Sequence, residues 1–246
     1  MKYNRNVAII YRLTAFVVVV IGLTLDFLAE ATVVDKLNKL CFFTIQSNIF
    51  VAVLLGVLLI GVVVQRIKDG KYGEVYSLKS QSLQMAVIFY ITVTFLFFAF
   101  FLALPQLILT YSEPNVVQKY FISFCLHFVL PVMIILDWIY FAPHGNKSKK
   151  LIFWYMLYPL VYFVLIILRA TSGTLMVEDG AYTSRYPYPF VDIDLLGWWA
   201  LLVIPFVVGL LMLLAYGMIQ LDNRLAKVFA AKIEKQNSDI DLNKKE

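Results

Sequence analysis

Thr44 and His127 stand inside two long apolar stretches, where a hydroxyl and an imidazole are costly unless they pair internally or take part in function. A histidine that takes the proton of an alcohol makes that weak nucleophile able to attack an ester carbonyl through an acyl intermediate. Cys41, Thr44 and Ser47/Asn48 follow the three-to-four spacing of one helix face, as do Ser123, His127 and Pro131 on another. Pro131 lacks the amide that would bond the carbonyl of His127, so a kink and a freed acceptor are expected at the histidine. Plainer accounts stand beside this one: a membrane threonine often bonds its own preceding turn, and a lone histidine often joins two helices. His144, roughly 25 Å further along if the helix continued, is a poor second ligand. No HExxH or GxSxG run is present. Cys41 and Cys125 lack metal or dithiol spacing and read as buried free thiols. Neither a metal nor a cofactor is expected.

The elements that must hold these groups are membrane helices. Of 246 residues, 61% are hydrophobic and 15% charged, too few charges for an ordinary soluble domain. Six apolar stretches, over about 9–28, 42–64, 85–104, 120–141, 151–168 and 195–218, approach the ~20 residues that cross ~30 Å of hydrocarbon. The expected fold is all-α and integral to the membrane: one bundle of six transmembrane helices over residues 1–218, because lipid leaves no partner for an open sheet edge. No internal repeat is visible. Ala29-Glu30-Ala31 resembles a signal cleavage site, but the preceding apolar run is too long for a signal core, so the first helix is expected to stay.

Sixteen of the 21 Lys and Arg residues fall at the amino end through Arg12, in 65–82, in 142–150 and after 219. Both termini are therefore expected on the cytoplasmic side of the cell membrane. The net charge of +5 then reads as a topology signal and an attraction to lipid head groups, without a nucleic-acid partner. Residues 219–246 read as a cytoplasmic tail: Leu221, Leu225, Val228, Phe229 and Ile233 recur at helical spacing among basic residues, suiting an amphipathic helix on the inner leaflet, and a polar end follows.

This orientation brings Asp26, Thr44, Ser47, Asn48, Ser123, His127 and Arg169 to one outer level, with Thr44 and His127 differing in depth by roughly 7–8 Å. A polar pocket open to the outer leaflet is expected there. Ser47, Asn48 and Ser123 are alternative oxyanion donors, and Asp26 and Asp192 are alternative partners to orient His127. Arg169 either pairs with Asp26, Asp192 or Asp194 or anchors a carboxylate or phosphate. Tyr155, Tyr158 and Tyr162 either line an acyl-chain cavity or pack in the core, and Asp137 is expected at the cytoplasmic interface. The long connection Arg169–Asp194, with Tyr182, Tyr186, Tyr188 and Phe190, suits a lid or an interfacial aromatic belt.

Taken together, Phe42-Phe43-Thr44-Ile45-Gln46-Ser47-Asn48, His127-Phe128-Val129-Leu130-Pro131 with Asp137-Trp138, and Arg169 with Tyr186-Pro187-Tyr188-Pro189-Phe190 resemble the bacterial six-span relatives of the androgen-inducible membrane protein family. Its eukaryotic members are integral membrane hydrolases of fatty acid esters of hydroxy fatty acids that use a threonine nucleophile and a histidine. The resemblance implies those roles for Thr44 and His127 and a lipid-ester substrate; Asp26, Ser47, Asn48, Ser123, Arg169 and Tyr188 are the candidate substrate-binding or supporting residues around them. The chain departs from the eukaryotic members in its longer segment Val177–Arg185. The alternatives are a lipid or small-molecule binding or transport protein using the same pocket, and a structural partner whose polar groups only fasten helices.

Overall fold

The structure is a computed structural model that describes residues 3–99, 121–145, 147–179 and 182–243. Long apolar runs set its main elements: α1 (Arg5–Leu28), α3 (Phe43–Asp69), α4 (Gln81–Phe97), α5 (Phe121–Phe141), α6 (Leu151–Ala170) and α8 (Ala200–Asn243). Two short helices, α2 (Val33–Leu40) and α7 (Ile193–Leu196), lie in the connections. Among the described residues, five helical segments are long and apolar enough to cross a membrane: α1, α3, α5, α6 and Ile193–Glu234. This is an all-α, multi-pass membrane fold. The apolar helix α4 has 17 residues among those described; the rest of the expected third span, and residue 120 of the expected fourth, lie outside them.

Helices α1, α3, α4 and α5 pack in a ring in that order, and α6 and α8 lie outside α4. Water does not drive helices together inside a bilayer, so close packing and polar links must. On α1 the buried positions Ala8, Ala15 and Gly22 repeat every seven residues and let neighbours approach. A Cβ on Gly22 would come within 2.7 Å of Leu126 Cδ2, so the glycine fixes how near α5 sits. Between α3 and α4 the link is polar: Ser47 Oγ lies 2.7 Å from Thr94 Oγ1, both buried.

One end of the bundle is knotted by charge. Arg12 and Asp137 form a bidentate pair at 2.8 and 3.2 Å, and Arg12 also donates to the carbonyl of Tyr76 at 2.7 Å. Asp137 is thus not the interface residue expected of it: it is only 3% exposed, because a charge on α1 reaches it. At the same end β1 (Tyr3–Asn4) pairs antiparallel with β2 (Tyr72–Gly73). Asp222 of α8 binds His144 Nδ1 at 2.9 Å and accepts from the Gly145 amide at 2.8 Å. Helix α8 continues from the last span through Asn243, into the residues expected to form the tail. Part of its apolar stripe also turns inward: Leu225 packs on the core and the Phe229 ring stacks on His144.

At the other end α2 is an amphipathic helix absent from the sequence expectation. It starts with a capping box in which Thr32 and Asp35 satisfy each other's backbone amides. Its Lys39 donates to Asp26 at 2.9 Å and Glu30 at 2.6 Å. Beyond α6, the strands β3 (Val177–Asp179) and β4 (Tyr182–Ser184) form an antiparallel pair, so the segment Val177–Arg185 is largely a hairpin.

Candidate functional site

Helix α3 begins with Phe42 at its N-cap, which offers no side-chain acceptor for the free amides of the first turn. Tyrosine hydroxyls take that part. The Phe43 amide donates to Tyr162 Oη at 3.2 Å, and the Thr44 amide donates to Tyr188 Oη at 3.3 Å. Tyr162 Oη passes its own proton to the carbonyl of Cys41 at 2.9 Å, and Tyr158 bonds the side chain of Gln46. Tyr158 and Tyr162 come from α6, whereas Tyr188 comes from the Tyr-Pro-Tyr-Pro-Phe segment. The lid segment and the first turn of α3 therefore form one unit.

Thr44 is 8% exposed. Tyr188 Oη donates to its Oγ1 at 3.4 Å, and no acceptor for the threonine's own proton stands among the described residues. Its carbonyl is held by Ser47 Oγ at 2.9 Å and Asn48 Nδ2 at 2.7 Å. Ser47 and Asn48 thus brace the backbone at Thr44, and Asn48 Oδ1 is buried without a partner. Burial pushes the Tyr188 hydroxyl up to about 12, although its hydrogen bonds with Thr44 and Phe43 work the other way. It is a proton donor throughout the neutral range.

Thr44 opens onto a cavity of about 420 Å³ walled by Phe43, Val93, Thr94 and Phe97, by α6 from Met156 to Phe163, by Tyr188–Val191, and by Ile204, Val207, Val208 and Leu211 of α8. Among the described residues no charged side chain lines it. Its polar groups are Thr44, Thr94, Tyr162 and Tyr188. The expected polar pocket is therefore an apolar chamber with hydroxyls at one place, because α6 and α8 supply only aliphatic, aromatic and proline walls. A hydroxyl at the start of a long helix, with a tyrosine donor beside it, suits attack on a carbonyl whose oxygen becomes negative.

His127 sits in a π-helical turn, Cys125–Val129, in which the Leu130 amide bonds back to the carbonyl of Cys125. Pro131 follows immediately and has no amide to offer His127, so the expected kink takes this form. His127 Nδ1 lies 2.8 Å from the carbonyl of Ser123. A carbonyl only accepts, so Nδ1 carries hydrogen and, in the neutral ring, Nε2 carries the lone pair. The ring stacks on Phe98 with centroids 4.8 Å apart. A backbone carbonyl, rather than Asp26 or Asp192, thus orients the imidazole. Asp26 and Lys39 supply charges that act on it from a distance, and Asp192 accepts from Ser184 and caps α7. Ser123 is engaged with His127, away from Thr44.

The two candidate residues are not joined. No hydrogen bond links Thr44 to His127, and no described residue of α1 or α5 lines the cavity. Arg169 is placed elsewhere again. Its guanidinium donates to Asn38 Oδ1 at 2.8 Å and to the carbonyls of Thr174 at 2.6 Å and Arg185 at 3.2 Å. The ion pair expected with Asp26, Asp192 or Asp194 is absent among the described residues, since Asp26 is taken by Lys39 and Asp194 by Arg185. Sequence reasoning overlooked Thr94 and the cavity face of α8. Thr94, like Thr92, is a hydroxyl in an apolar run and offered a signal; Val207, Val208 and Leu211 offered none, being like any lipid-facing residue. Compared with family models, curated proteins and solved structures, the chain has no match in any of the three.

Proposed function

We propose that the protein is an integral membrane hydrolase of fatty acyl esters, with Thr44 as nucleophile and His127 as base. The observation that carries the reading is the Thr44 hydroxyl at the wall of an apolar cavity, beside the buried donor Tyr188. The resemblance of the Thr44, His127 and Tyr188 segments to the androgen-inducible family supports the same assignment and suggests esters of hydroxy fatty acids. In the reaction, Thr44 Oγ attacks the ester carbonyl and its proton passes to His127 Nε2, directly or through one water. Tyr188 donates to the oxygen that becomes negative. The leaving alcohol takes the proton from His127. Water then attacks the acyl-threonine with His127 again as base, releasing the fatty acid and restoring the threonine.

We place the protein in the cell membrane as six spans, with both ends in the cytoplasm. The amino-terminal strand, the 70–80 connection, the 142–147 connection and Asp222 meet at one end of the bundle, which supports an even number of crossings, and the basic residues gather there. A second reading, a protein that binds or carries lipid without cleaving it, is favoured by one observation: His127 does not line the cavity. Mass spectrometry after treatment with a long-chain fluorophosphonate separates the two. The hydrolase reading expects an adduct on Thr44 that disappears in Thr44→Ala; a folded wild type without any adduct at Thr44 favours binding alone.

A further inference from the structure

The cavity has a side. Leu160 lines it and is nevertheless 44% exposed, so the wall is open where α6 faces α8. The residues around that opening, Val161 and Val164 on α6 and Leu201 and Phe206 on α8, are all exposed and apolar. In a membrane-spanning bundle such a surface meets lipid chains. Each flanking helix also carries an internal proline beside the cavity, Pro159 in the lining of α6 and Pro205 next to the lining residue Ile204 of α8. Proline removes one hydrogen bond of its helix.

The contents follow from the lining. With no charge among its described lining residues, the chamber offers a head group no ionic partner there, and its hydroxyls gather where α3 begins. If a methylene fills about the ~30 Å³ that a water takes up in the liquid, about 420 Å³ holds on the order of 14 of them, the bulk of a long acyl chain.

We infer that the cavity is filled sideways, from the bilayer, by the acyl chain of a membrane lipid that passes between α6 and α8 until its carbonyl meets Thr44. This rests on the lipid-ester reading of Thr44 for the end point, but the route is a matter of occupancy and is testable without turnover. The experiment places the full chain in nanodiscs containing a long-chain fatty acid with a photoreactive diazirine on its chain, and maps adducts by mass spectrometry. Wild type is expected to carry adducts on cavity residues such as Met156 and Tyr162. Val207→Trp on one wall and Leu160→Trp on the other are each expected to lower them by about tenfold, the effect of ~1.4 kcal/mol. Phe153→Trp, exposed on α6 and outside the cavity lining, is expected to leave them unchanged, and melting curves establish that each variant is folded.

Cavity adducts missing from wild type, or equally abundant in wild type and both folded wall variants, overturn the inference. Adducts that follow the expected pattern without hydrolysis in any preparation uphold the side entrance and reject the hydrolase. Hydrolysis with adducts indifferent to both wall variants does the reverse.

Discussion

Thr44 holds its place through its backbone more than through its hydroxyl. Its amide is capped by Tyr188 and its carbonyl is gripped by Ser47 and Asn48, so the side chain is delivered to the cavity wall by bonds that Thr44→Ala leaves intact. That variant is expected to lose ester cleavage while keeping the fold and cavity occupancy. Tyr188→Phe is expected to cost about 1 kcal/mol of stability at neutral pH, and it also changes the alkaline limit. In the fold the tyrosine hydroxyl sits at about 12, against about 10 for a free tyrosine. The stability tied to keeping it protonated is whole below about pH 10 and is lost as pH rises through the folded value. Melting temperatures in detergent across that range should therefore fall less steeply for Tyr188→Phe than for wild type; parallel curves would contradict the assignment. The polar residues around Thr44 were legible because hydroxyls and amides stand out in apolar helices. Their partners were not, because the 144 positions between Thr44 and Tyr188 are bridged only by tertiary packing.

At the scale of elements, polar contacts tie helices that the bilayer alone would not hold together. The Arg12–Asp137 pair joins α1 to α5, and its guanidinium side chain is fully buried. Removing one partner strands a buried charge, so Asp137→Asn or Arg12→Gln is expected to destabilise by about 3–5 kcal/mol, whereas Arg12→Met with Asp137→Leu recovers most of the loss. Thermal melts of the three variants test this, and equal losses in single and double variants would refute it. Arg169 plays a different part: its hydrogen bonds fasten the 174–185 hairpin segment to α2 and the end of α6. Arg169→Gln is expected to expose that segment to limited proteolysis and to leave the preference between free-acid and methyl-ester substrates unchanged. A lost preference with an intact segment would return the arginine to substrate binding. Helix positions were readable from apolar runs, and a disturbance of the helix at His127 from the missing amide of Pro131, though not its form as a π-turn. Helix α2 escaped because its eight residues are short and mixed, and the charge pairing of Asp137 escaped because its partner lies 125 positions away.

Across the whole molecule, the deeply buried ion pairs and the apolar chamber occupy opposite ends. The end with Arg12, Asp137, His144 and Asp222 is an ion-paired knot that closes the bundle, while the end with α2, the hairpin and the Tyr188 segment roofs an apolar chamber. Sequence placed the hydroxyls and the histidine at a common level, but depth along helices does not fix rotation about them. Thr44 turns toward α6 and α8, and His127 lies across the ring against Phe98. Whether these two act together is the central question, and release of fatty acid from a panel of lipid esters, including esters of hydroxy fatty acids, answers it most directly. Purified wild type is expected to hydrolyse at least one class, Thr44→Ala none, and folded His127→Gln about 10²–10⁴-fold more slowly. Hydrolysis that survives in Thr44→Ala, or its absence from well-folded wild type across the panel, would contradict the account.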